Sequence, residues 1–143
     1  MEQKDYLLRE IEKIGLIIRA IRQRLFGGKD SMAINIGQQV EAEKGMLFKE
    51  LNFDLDKFLL LGVEETNIYL NKFEGFNVEN IEFLAEVIAQ IGFSEDFEKS
   101  EIYLEKALRL YELVNRKSKT YSTERQKKIV TIKDALDIRY SNN

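Results

Sequence analysis

Apolar residues recur along this chain at steps of three and four, and nowhere alternate with polar ones long enough to describe a strand. The first run is the longest. Leu7, Ile11, Ile14, Ile18, Ile21 and Leu25 form a seam that predicts a helix over residues 4–26. Leu8 and Ile17 broaden the seam, so it reads as a packed face and not as a long coiled coil. Gly27 and Gly28 supply a stop, and Lys29, Asp30 and Ser31 a turn with helix-capping side chains. A second helix is predicted over residues 33–51, weakened by Gly37 and Gly45 at roughly 1 kcal/mol each relative to alanine.

The middle of the chain is less regular. Residues 52–56 read as a junction, followed by short helices over 55–61 and 64–72 on either side of Gly62. Phe73, Gly75 and Phe76 close this section. Asn77 then suits an N-cap for a helix over 78–91, with Gly92 as its C-terminal cap. Ser94, Glu95 and Asp96 open the next helix, to residue 117, on which Phe97, Ser100, Leu104, Ala107, Tyr111 and Val114 share a face. Ser122 caps a final helix over 123–140, with Ile129, Ile132 and Leu136 on one side. The expected fold is therefore all-α: a single domain spanning residues 1–143, with five to seven helices in antiparallel hairpins. A long helix occupies 1–28, and a hairpin plus final helix occupies 77–140.

Composition sharpens this picture by what it omits. The chain has no histidine, cysteine, proline or tryptophan. At ordinary usage about seven prolines would be expected, so the strongest helix breaker is missing. Without His and Cys the chain lacks the commonest general base, the thiol nucleophile and the main transition-metal ligands. The longest apolar runs, such as Leu59-Leu60-Leu61, fall far short of the roughly 20 residues that cross a bilayer. The polar, mixed-sign start predicts no signal peptide, and the expected location is the cytoplasm.

Three constellations bear on chemistry. Asn52, Asp54 and Asp56 have the spacing of a calcium loop's first ligands, but Lys57 and Val63 stand where that loop needs glycine and a bidentate glutamate. Capping of the following helix by Asp54 or Asp56 is expected instead. Glu79, Glu82 and Glu86 share a helix face, yet a di-iron site would also need histidine, and a solvated face is expected. Residues 27–31 lack the glycine spacing and Lys-Ser/Thr pair of a phosphate-binding loop. No enzyme activity, metal or cofactor is expected.

Charge is unevenly spread. Residues 1–40 carry seven basic and five acidic groups, residues 41–105 five and sixteen, and residues 106–143 ten and four. Mutual compensation between acidic and basic helices is the simpler expectation. The alternative is a basic surface for nucleic acid or another anionic partner, built from Arg116, Lys117, Lys119, Arg125, Lys127 and Lys128 around Tyr121.

Within the C-terminal half, residues 81–107 resemble one degenerate tetratricopeptide repeat. Ile81, Leu84, Ala85 and Ile88 stand at that family's large and small positions of the first helix, and Gly92 at its turn glycine. Phe97, Ser100, Leu104 and Ala107 match the aromatic, small, bulky and small positions of the second helix. The chain departs in having about three extra residues between Gly92 and Phe97, no closing proline, and no second copy upstream. The overall layout also resembles uncharacterised bacterial helical families of unknown function. What the repeat resemblance implies is binding of a peptide or protein along a helical groove, and no chemistry. The expected function is thus a non-catalytic interaction module in a bacterial cytoplasm. Tyr103, Tyr111, Arg116, Tyr121, Arg125 and Lys128 are the expected partner-binding residues, because Tyr and Arg anchor interfaces. Leu7, Ile11, Ile14 and Ile18 are the expected homodimer seam, should their apolar face exceed what the core covers.

Overall fold

The computed structural model describes residues 2–27 and 36–141, and among them seven helices follow one another with no strand. They are α1 (Glu2–Phe26), α2 (Ile36–Leu51), α3 (Leu55–Leu59), α4 (Val63–Asn71), α5 (Val78–Ser94), α6 (Phe97–Ser118) and α7 (Thr123–Ser141). Gly28, the turn at 29–31 and the expected start of the second helix at 33 lie outside the described residues. So does the side chain of Phe97.

α5 and α6, joined by Glu95 and Asp96 alone, make an antiparallel hairpin with the most extensive interface in the fold. α1 lies along α5 in the same sense, since contacts run from Ile11–Asn80 to Arg22–Glu86. α7 returns along α6, and α2 covers α1. One apolar cluster draws on all seven helices, from Ile14 and Ile18 through Phe58, Leu70, Ile88 and Leu104 to Ile132.

The hairpin's closeness has a specific cause. A Cβ on Gly92 would stand 2.9 Å from Leu104 Cδ2 and 3.0 Å from Tyr103 Cβ, so only glycine lets the two helices approach this far. Ser100 Oγ donates to the Gly92 carbonyl from the facing helix. Gly92 is therefore a packing residue and not the cap expected from the sequence: α5 runs through it to Ser94. Gly45 likewise interrupts nothing, because α2 is continuous from Ile36 to Leu51.

Capping follows the sequence closely. Asp54 Oδ1 accepts from Lys57 N at 3.1 Å, Asn77 Oδ1 from Asn80 N at 2.9 Å, and Ser122 Oγ from Arg125 N at 3.2 Å. The helix stops do not. α1 ends at Phe26 as expected, but Gly27 is not left-handed; among the described residues the two left-handed positions are Asn52 (φ 58°) after α2 and Lys119 (φ 55°) after α6.

The irregular middle is held by rings. Phe53 packs against Phe58, Tyr69, Phe73 and Phe76 with centroid separations of 5.0 to 5.7 Å. Tyr69 Oη accepts from Asp54 N at 2.8 Å, so the cluster's one polar tip is also used. Such ring pairs contribute about 0.5–1.5 kcal/mol each beyond burial, which lets α3 and α4 persist at lengths too short to stand alone. Asn80 ties this section to α1, its Nδ2 donating at 2.8 Å to both Ile11 O and Gly75 O.

Candidate functional site

α7 is fixed on the hairpin by one buried arginine. Arg125, 7% exposed, donates from Nε to Glu82 Oε2 at 3.0 Å and from Nη1 to Asn115 Oδ1 at 2.9 Å and Thr120 O at 3.2 Å. Its planar guanidinium thus joins α5, the end of α6 and the α6–α7 turn in one fork. One turn along α5, Glu86 receives Arg22 of α1 at 2.9 Å and Lys128 of α7 at 3.7 Å. Glu82 and Glu86 of α5 are therefore spent on cations from the helices on either side.

Beyond Glu86 the helices α5 and α7 part over α6 and leave a cleft of about 250 Å3. Ala89 and Phe93 of α5 and Ile132 of α7 make its apolar walls, and Tyr111 of α6 its floor. Glu86, Glu124, Lys127 and Lys128 form a rim with two charges of each sign. The Tyr111 ring is fully buried, and its hydroxyl has no hydrogen-bond partner; neither has the buried Oε1 of Gln90 in the adjoining wall. An unmade hydrogen bond at a buried group costs about 1–3 kcal/mol; Gln39 Oε1 and Asn67 Oδ1, outside the cleft lining, are unpartnered too. Burial, reinforced by the Glu86 and Glu82 charges, pushes the Tyr111 hydroxyl above its ordinary range. It therefore stays a neutral phenol, able both to donate and to accept.

The residues expected to bind a partner do not form one surface. Tyr111 and Lys128 line the cleft. Arg125 is buried and consumed by its fork, so it is a tie between helices and not a free cation. Tyr103 is buried too, and faces a different depression together with Lys44, Asp56 and Leu59. Arg116 is exposed, and Tyr121 is 79% exposed, both near the α6–α7 turn and away from the cleft lining. The expected dimer seam divides as well. Ile14 and Ile18 are core residues covered within the chain, Ile11 is half-buried, and only Leu7 is exposed. The reason is that α5 lies along the seam's second half and covers it.

Sequence reasoning also missed a buried lysine. Lys106 of α6 is 4% exposed; its Nζ donates to Leu61 O at 2.8 Å and Thr66 Oγ1 at 2.6 Å and lies 4.9 Å from the centre of the Phe58 ring. Desolvation, with repulsion from Arg109, lowers its pKa to about 8. The signal was present: Lys106 is three residues after Tyr103 and four before Leu110, both on the apolar stripe.

Among the described residues no group of three or more carboxylates is placed to hold a metal ion, and no helix is long and apolar enough to cross a membrane. Comparison with protein-family models, with curated proteins and with solved structures found no match.

Proposed function

We propose that this protein is a non-catalytic interaction module that receives a peptide segment of a partner protein in the cleft between α5 and α7. The observation that carries this reading is the cleft itself, about 250 Å3 between α5 and α7, with apolar walls from Ala89, Phe93 and Ile132 and a rim of mixed charge. Apolar clefts with a few polar groups at the rim are the common form of a recognition site. The order of helices adds support. α5 and α7 flank the cleft and α6 backs it, the arrangement by which a tetratricopeptide-like hairpin and the first helix of a following repeat would form a groove.

A photo-reactive benzoylphenylalanine at Thr131, an exposed position on the cleft wall, tests the reading in living cells. The expected result is a discrete adduct to one partner peptide from position 131 and none from the same probe at exposed Glu12 on α1. Adducts at neither position, or the same adducts at both, would remove the reading.

A second reading has one observation in its favour. Arg116, Lys117 and Lys119 are exposed near the α6–α7 turn beside exposed Tyr121, with no carboxylate paired to them among the described residues. That corner suits a phosphate backbone with a base stacked on the tyrosine.

A further inference from the structure

We infer that the face of α6 centred on Ile102 docks a second copy of this chain, the two α6 helices lying antiparallel about a two-fold axis through that residue. Charge complementarity carries the inference. Three residues before Ile102 stands Lys99, and three after it Glu105; seven before it, in the link to α5, stands Glu95, and seven after it Arg109. A two-fold axis perpendicular to a helix sets residues equally far before and after it opposite one another, because their rotations about the helix are equal and opposite. Lys99 of each copy therefore meets Glu105 of the other, and Glu95 meets Arg109. Each pairing occurs twice, as a self-complementary two-fold contact requires. Two charges of one sign at positions 99 and 105 would repel in the same packing.

The surface at the axis is apolar and exposed. Ile102 stands with Leu59 and Leu60 between two clefts, one of about 450 Å3 on the side of Glu95 and Lys99 and one of about 380 Å3 on the side of Glu105 and Arg109. Leu60 is 77% exposed, more than any other large aliphatic side chain among the described residues, and Val63 beside it is 52% exposed. Lys99, Glu105 and Arg109 are exposed as well, and Glu95 is half-buried. Arg109 also meets Glu112 of its own helix at 3.2 Å, an exposed pair that costs little to exchange. Lys106 takes no part, since its ammonium is held by Leu61 O and Thr66 Oγ1. From Lys99 to Arg109 the face covers about 15 Å at the helical rise. That puts the contact at the small end of specific interfaces, so dimers are expected at protein concentrations on the order of 100 μM. Neither cleft shares a lining residue with the one between α5 and α7, and the inference stands apart from the peptide-docking reading.

The test is sedimentation equilibrium of the full chain at low salt, from about 10 μM to about 1 mM, a range that brackets a weak dimer. The unmodified protein should dimerise. Its dissociation constant should rise about tenfold or more in Lys99→Glu, and likewise in Glu105→Lys, because each reversal sets like charges against each other at both symmetry-related places. Mixing the two variants should restore association as a one-to-one pair. One is acidic at both positions and the other basic at both, so every facing pair becomes attractive. Both reversals on one chain should dimerise as the unmodified protein does. A chain that stays monomeric throughout the range would overturn the inference. So would a dimer indifferent to both reversals, as one built on exposed Tyr6, Leu7 and Leu8 of α1 would be, or a weakened dimer that mixing fails to rescue. Should a reversal fail to fold, Ile102→Asp at the axis decides the matter: loss of the dimer is expected, and an unchanged dimer overturns the inference.

Discussion

Replacing Lys106 by methionine should abolish a rise in stability that the unmodified protein shows above neutral pH. The ammonium of Lys106 is enclosed by Phe58, Thr66 and the Leu61 carbonyl. The unfolded chain keeps this proton to about pH 10.5, whereas the folded protein keeps it only to about pH 8. Between those values the unfolded chain binds more protons, so the free energy of unfolding rises with pH. Integrated from pH 8 to about pH 10, the gain is about 2 kcal/mol. Tyr103 and Tyr111 act in the opposite direction. Burial raises both, so their stabilising contribution is complete below the ordinary phenol range near pH 10 and is lost above it. They titrate alike in both proteins and cancel in the comparison. Urea unfolding at steps from about pH 7 to 10 reads the difference directly. In Lys106→Met the Thr66 hydroxyl keeps its 2.7 Å bond to Gly62 O, so α4 retains its own tie and the variant should fold. Midpoints that shift in parallel with pH in the two proteins would refute the reasoning and mean that the ammonium is hydrated in solution.

Two further pairs of variants test the packing and the charges. Gly92→Ala should destabilise the protein by about 1 kcal/mol net, because overpacking between α5 and α6 outweighs the helical preference of alanine; Gly45→Ala, where a methyl meets nothing within 4 Å, should stabilise by about 0.5–1 kcal/mol, both read from thermal unfolding. Glu82→Gln should cost about 2 kcal/mol or more by leaving the buried Arg125 guanidinium without its carboxylate, whereas Lys128→Gln, on a half-exposed pair, should move the urea midpoint by less than about 0.5 kcal/mol equivalent.

The helical periodicity was legible because the long helices carry apolar stripes: Ile14, Ile18, Ile21 and Leu25 on α1, and Leu104, Ala107, Tyr111 and Val114 on α6, are all buried. Capping side chains were legible for the same local reason, as Asp54, Asn77 and Ser122 act within three residues of themselves. What was not legible depends on partners distant in sequence. Gly92 looks like a stop by its own preferences and becomes a contact point only when Leu104 faces it. Phe53, Phe73 and Phe76 look like punctuation around short helices until the chain folds them onto one another. The cleft was half legible. Tyr111 and Lys128 were named, but Gln90, Ala89 and Phe93 were not, because nothing in the spacing of α5 says that α7 stands away from it.

The charge pattern illustrates how far sequence segregation can mislead about surface. The acidic middle and basic end of the chain do meet, at Glu82 with Arg125 and at Glu86 with Lys128. Compensation is thus built from particular pairs on adjacent helices and not from two opposed fields. It also divides the basic cluster into three sets with different roles. Arg125 is a core residue whose loss would release α7, so weakened anion binding in an Arg125 variant would report unfolding and not recognition. Lys127 and Lys128 belong to the cleft rim, where two carboxylates balance them. Arg116, Lys117 and Lys119 combine exposure with the absence of an ion pair among the described residues, and they lie beside the exposed Tyr121. An anionic ligand would therefore have to bind the corner after α6, and the steep salt dependence of such binding would have to survive neutral substitution of Lys127 and Lys128.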